Sequence, residues 1–131
     1  MTPDASTTHA VLRRYADAWL ANDLRAIIDS YHDEVVFHYF GRNPLAGTHR
    51  GKAACLAALK QVRDKTQRQL VGIRDVLAGE HFGVIVAVER FVHNGQPLEV
   101  ERLLRYRVHE GKLAECWVYD PDQRQVDALL S

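Results

Sequence analysis

Residues 82–119 read FGVIVAVERFVHNGQPLEVERLLRYRVHEGKLAECWVY, and how this stretch pairs with itself decides the fold. Phe82 to His93, Leu98 to Val108 and Leu113 to Tyr119 are rich in Val, Leu and aromatic residues, which suit pleated, half-buried strands. Between them stand NGQP and HEGK. Asn94-Gly95 suits a two-residue type I′ hairpin, because both central residues must take positive φ. His109-Glu110-Gly111 predicts a three-residue loop with Gly111 in the left-handed position of a bulge. Turn type fixes register, and register decides which side chains share a face. Pairing through Asn94-Gly95 puts Glu89, Phe91 and His93 on one face with Val100, Arg102, Leu104 and Tyr106, and the second turn carries that face to Cys116, Val118 and Asp120. The other face collects Val84, Val86, Val88, Arg90, Val92, Leu103, Arg105 and Arg107. An antiparallel sheet apolar on both faces has something packed on each, so the outer face predicts a homodimer.

Upstream, Leu70 to Leu77 reads as a fourth strand, set off by AGEH. Before it the period changes from two to about three and a half. Val11, Leu12, Tyr15, Ala18 and Trp19 recur at helical spacing and predict a helix from His9 to Asn22. Asp23 is a good N-cap for a short second helix carrying Leu24, Ile27, Ile28 and Tyr31. Glu34 to Phe40 (EVVFHYF) reads as a strand, and Gly41 to Gly51 (GRNPLAGTHRG) as an irregular loop. A third helix is expected over Lys52 to Lys65, burying Leu56, Leu59 and Val62. Asp120-Pro121-Asp122-Gln123 reads as an N-cap, a proline at the first helical position and a Gln three residues on, opening a last helix through Leu129. Such a cap by itself would account for Asp120.

A chain of 131 residues, 47% of them apolar, is the size of one domain with a real core, here taken as residues 1–131. Lys plus Arg and Asp plus Glu are equal at 17 each, which leaves no basic field for nucleic acid. Cys55 and Cys116 have neither redox-motif nor zinc-site spacing and read as reduced thiols. The start, MTPDASTT, lacks a basic segment followed by an apolar run, and no stretch approaches the roughly 18 apolar residues of a membrane helix. The expectation is a cytoplasmic protein with no membrane partner.

Two tandem helices, a strand, a loop, a third helix and four antiparallel strands follow the order of the nuclear transport factor 2-like superfamily. Val11-Leu12-Arg13-Arg14-Tyr15, Asn22-Asp23-Leu24 and His32-Asp33-Glu34-Val35-Val36 resemble the opening half of ketosteroid isomerases. Gly41 to Gly51 and Trp117-Val118-Tyr119-Asp120-Pro121-Asp122-Gln123 resemble the SnoaL-like branch, which includes polyketide cyclases. The resemblance spans about His9 to Leu130. It implies a cone-shaped α+β, cystatin-like fold: a curved antiparallel sheet wrapped around the N-terminal helices, with a short C-terminal helix. It further implies that the concave face lines a cavity for a small hydrophobic molecule, walled by Tyr39, Phe37, Phe91, Leu104, Tyr106, Cys116, Val118 and Trp19, and that members are often dimers.

Ketosteroid isomerases need a carboxylate base, a Tyr and a protonated acid as oxyanion donors. Tyr15 matches the tyrosine, but the base position falls on Tyr39 and the second acid near Leu104, which argues against steroid isomerisation. The cyclase-type His and Asp positions fall on Leu104 and Val118. Epoxide hydrolases of the superfamily flank an Arg with two Asp residues; Arg102 resembles that Arg, Asp120 one acid, and Glu89 stands in for the other. The catalytic candidates are therefore Asp120, Arg102, Glu89 and Tyr15. Against them, Arg102 with Glu89 reads equally as a satisfied ion pair. His38 alternates away from Phe37 and Tyr39. His32, His49, His81 and His109 show no metal-ligand spacing, so neither metal nor cofactor is expected. Two readings stand: a cofactor-independent enzyme on a small carbonyl, epoxide or polyketide-like compound, and a non-catalytic binding or assembly module.

Overall fold

A computed structural model describes residues 4–131, so Met1 to Pro3 of the polar start lie outside it. The elements are α1 (Ala5–Leu20), α2 (Leu24–Ser30), β1 (Tyr31–Tyr39), β2 (Gly47–Arg50), α3 (Lys52–Thr66), β3 (Gln69–Ala78), β4 (Phe82–His93), β5 (Gln96–His109), β6 (Lys112–Tyr119) and α4 (Gln123–Leu130). Helix α1 starts four residues before the expected His9, because Asp4 and Thr7 form a reciprocal capping box: the Thr7 amide donates to Asp4 Oδ1 (2.7 Å) and the Asp4 amide to Thr7 Oγ1 (3.1 Å). Asp23 caps α2 as expected, accepting from the Ala26 amide. Gln67, at φ 53°, ends α3 in the left-handed conformation.

The six strands form one curved, unclosed sheet in the order β2-β1-β6-β5-β4-β3. Every neighbouring pair is antiparallel except β1–β6, which is parallel. Strand β2 falls inside the stretch expected to be loop; it pairs with β1 through Val36 to Tyr39. Bulges interrupt β3 twice, between Leu70 and Gly72 and between Ile73 and Asp75, and each adds twist that bends the sheet. Helix α1 lies mainly across β3 and β4. Gly83 permits that approach, since a Cβ there would stand 2.5 Å from Leu12 Cδ2 and 2.6 Å from the Leu77 carbonyl oxygen.

The first hairpin is as read, with Asn94 at φ 52° and Gly95 at 77° and the ladder closing on His93–Gln96. The second turn is tighter than expected. Glu110 (54°) and Gly111 (73°) both take positive φ and His109 pairs with Lys112, so the loop has two residues. The extra residue sits in the ladder instead, at Ala114 between the Val108–Leu113 and Arg107–Glu115 pairs. Face assignment survives because Leu104 still opposes Val118 and Tyr106 opposes Cys116. Along β5, Val100, Arg102, Leu104 and Tyr106 are buried while Glu101 and Leu103 are exposed.

The last helix begins two residues later than expected. Asp122 is its cap, accepting from the Gln125 amide, and Pro121 precedes the helix. Asp120 therefore does not cap it. Among the described residues no helix is long and apolar enough to cross a membrane.

Candidate functional site

The concave face, α1, α2 and α3 enclose a cavity of about 540 Å³, within the size range of small-molecule sites. Its floor is the alternating set from the sheet: Phe37 and Tyr39 from β1, Glu89 from β4, Arg102, Leu104 and Tyr106 from β5, Cys116 and Val118 from β6. Helices α1 and α2 add Tyr15, Trp19 and Ile27; α3 adds Leu56 and Leu59. Half-exposed Leu20 and Leu24, beside Asn22, mark the mouth.

The main polar feature is a buried bridge joining β4, β5 and the residue that follows β6. Arg102 donates from Nη1 to Glu89 Oε2 (2.9 Å), from Nε to Asp120 Oδ1 (2.7 Å) and from Nη2 to Asp120 Oδ2 (3.1 Å). The three side chains are 6%, 1% and 2% exposed for Arg102, Glu89 and Asp120. Burial pulls the guanidinium pKa down, and the two carboxylates outweigh that pull, so it ends raised and the group stays charged. The other Glu89 oxygen, Oε1, is buried and accepts no hydrogen bond from the described residues. Arg68 Nε, 3.4 Å away, makes an ion contact with it.

A second polar group is a knot of tyrosines. The Tyr15 and Tyr31 hydroxyls lie 2.5 Å apart, and the Tyr15 ring packs edge-on against Tyr31 and Tyr106 at 5.4 and 5.7 Å. One hydroxyl donates to the other, which leaves one phenolic proton of the pair for another acceptor. Burial pushes Tyr15 up to about 12, against the opposing hydrogen bond of Tyr31. Burial likewise raises Tyr31, Tyr39 and Tyr106. These are neutral donors at physiological pH. Burial also takes Cys116 up to about 12, an un-ionised thiol.

Of the twelve candidates read from sequence, Tyr15, Trp19, Phe37, Tyr39, Glu89, Arg102, Leu104, Tyr106, Cys116 and Val118 line this cavity. Two do not. Phe91 lies on the expected face but beyond the cavity's end, packed with Leu45, Val62, Val100, Val126, Leu129 and Leu130, its ring 5.3 Å from the Arg102 guanidinium carbon. Asp120 borders a separate space of about 20 Å³ behind Arg102, enough for one water. His38 faces away, its Nε2 donating to Glu115 Oε2, its Nδ1 paired with Thr48 Oγ1 and its ring stacked on Trp117.

Sequence reading missed Tyr31 and Arg68. Tyr31 was placed as the last apolar position of the second helix, where it opens β1 instead; its ring is equally compatible with either period. Arg68 follows the helix-ending Gln67 and carries no local signal. The fold also joins His32 and His109 at Glu110 Oε1, each 3.1 Å away. His32 Nδ1 accepts the Glu34 amide, so its Nε2 carries the proton given to Glu110 and offers no lone pair to an ion.

An α+β cone with a concave cavity fed from the α1–α2 end defines the nuclear transport factor 2-like class. The chain belongs to the SnoaL-like domain family, whose model matches residues 12–116. Among solved structures, a Xanthomonas campestris protein of unknown function with a cystatin-like fold is 23% identical at a TM-score of 0.86, covering 95% of this chain and 98% of its own. Bal32a, from a soil-derived mobile gene cassette, is 18% identical at 0.86, covering 97% and 98%. A second X. campestris protein, provisionally assigned as a polyketide cyclase, is 18% identical at 0.77, covering 97% and 98%. A search of curated proteins finds no match by sequence.

Proposed function

We propose that this domain binds a small, largely apolar molecule in the concave cavity and performs cofactor-independent acid/base chemistry on it. The observation that carries the reading is Glu89: a cavity-lining carboxylate 1% exposed, one oxygen fixed by Arg102 and the other without a hydrogen bond, its ion contact to Arg68 lying at 3.4 Å. A carboxylate so oriented is a proton acceptor held ready. Arg102 and Asp120 orient it, and the spare proton of the Tyr15–Tyr31 pair supplies a donor for charge developing on a substrate oxygen. The acid–guanidinium–acid bridge supports a carbonyl, epoxide or polyketide-like substrate. The neighbour assigned as a polyketide cyclase supports a cyclase-type reaction.

Proton abstraction is testable without the natural substrate. Small aryl 1,3-dicarbonyl compounds in D2O, followed by proton NMR, report exchange of the acidic C–H; the wild type should exceed buffer, and Glu89→Gln should lose about 100-fold or more of that excess. Compounds that raise the melting temperature but exchange only at the buffer rate would assign the domain to binding without catalysis.

The convex face supports a homodimer. Leu77, Phe82, Leu103 and Tyr119 are exposed there, alongside Val84 and Val86, an apolar strip of the kind interfaces cover. Sedimentation at protein concentrations on the order of tens of micromolar should show a dimer that Leu103→Asp dissociates; a wild-type monomer ends that reading.

A further inference from the structure

The cations around the cavity are unequally committed. Lys60, Arg63, Arg68 and Arg102 all line it, against the single carboxylate Glu89. Lys60 is turned to Asp64, 2.6 Å away on the next turn of α3. Arg102 spends its Nε, Nη1 and Nη2 on Glu89 and Asp120. Arg63 makes no ion pair among the described residues, but it stands in the last turn of α3, where a cation complements the exposed carbonyls of the helix end. A structural role suffices for it.

Arg68 has no such account. Its side chain is only 17% exposed, it follows the helix, and among the described residues its guanidinium forms no hydrogen bond; the contact to Glu89 Oε1 at 3.4 Å is an ion contact alone. No guanidinium nitrogen of Arg68 is both sealed from solvent and unpaired, so its free donors open to water or to a ligand in the cavity, where a charge-assisted contact to an anion is strong. The Glu89 contact occupies the Nε side, and the remaining N–H groups are the planar pair that matches a carboxylate. The apolar part of the cavity lining includes Leu56, Leu59, Leu70 and Trp19.

We propose that the ligand of this cavity is an aromatic or alicyclic carboxylate, its oxyanion seated on Arg68 and its apolar body lying against Leu56, Leu59 and Trp19. The inference rests on the cavity being a small-molecule site, as proposed above, and goes further in fixing the charge and shape of what enters. Glu89, in contact with the Nε side of Arg68, then also positions that guanidinium.

The test uses two probes of one shape, 2-naphthoate and its neutral amide 2-naphthamide, titrated calorimetrically into the full chain. Wild type should bind naphthoate about tenfold or more tighter than naphthamide, the gain expected of a charge-assisted bidentate contact, and added salt should narrow the gap. Arg68→Gln should bring the two affinities within about threefold, chiefly by weakening naphthoate, and an unchanged circular dichroism spectrum reports that the variant is folded. Arg68→Lys, retaining charge without the fork, should fall between. Inorganic phosphate competing as well as naphthoate would show a generic anion site and overturn the carboxylate assignment. Equal wild-type affinities would overturn the anion inference and leave the cavity reading standing. Failure of both probes at millimolar concentration would overturn both.

Discussion

The two faces of the sheet use the same strands and the same ion-pair chemistry, yet the pairs mean different things. On the convex side Arg74–Glu101, Arg90–Glu99 and Arg107–Glu115 cross between strands or reach along them, with most of these side chains about half exposed. Water competes for each partner there, and such pairs contribute little. On the concave side Arg102 carries two carboxylates almost wholly removed from solvent. Their mutual attraction does little more than offset desolvation, but taking away one member strands the others in a poor dielectric. The same residue types thus hold register on one face and keep a charge poised on the other.

Breaking the bridge is the harshest test of that contrast. Arg102→Met should cost about 3–5 kcal/mol in urea denaturation, because it removes the cation from buried Asp120 and leaves Glu89 only its 3.4 Å contact with Arg68; a loss below about 1 kcal/mol would mean the carboxylates are solvated. Alkaline titration comes next. Tyr15 in the native state binds its proton more tightly than in the unfolded chain, its value raised from 10.0 to about 12. Its contribution is therefore complete below pH 10 and disappears between about 10 and 12, on the order of 3 kcal/mol, with Tyr31, Tyr39 and Tyr106 shifted in the same direction. Absorbance at 295 nm should rise together with loss of the far-ultraviolet circular dichroism; phenolate forming in a still-folded protein would contradict the burial. Gly83→Ala should cost about 1–3 kcal/mol, since the added methyl meets backbone at the Leu77 carbonyl as well as Leu12. Arg90→Ala, on the convex face, should change stability by no more than about 1 kcal/mol.

A one-residue error in turn length flips a strand's faces, and they stayed legible here because a bulge cancels that error. The second hairpin has two loop residues rather than three, yet the bulge at Ala114 restores the even offset, and Glu89, Arg102, Leu104 and Cys116 stay inside. Distance along the face was not legible. Phe91 shares the face of Glu89, but α4 and Val62 fill that end, and nothing local says where a cavity stops. Asp120-Pro121-Asp122 offers two capping aspartates, and pattern alone favours the first. What decides is Arg102, 18 residues upstream, which claims Asp120 and leaves the cap to Asp122. Tyr31 and Arg68 become site residues only through contacts with Tyr15 and Glu89 across the fold.

The parallel junction of β1 with β6 sets an order of assembly. Phe37 lies beside Cys116 and Tyr39 beside Val118, so a wall begun early in the chain waits on one that emerges from the ribosome nearly last. Closing that long loop has an entropic cost before any contact offsets it. Until then β1 has only β2 as a strand neighbour, and its other edge is open to pairing with any passing strand. Maturation of the pocket and protection from aggregation thus become one event, the docking of residues 112–119.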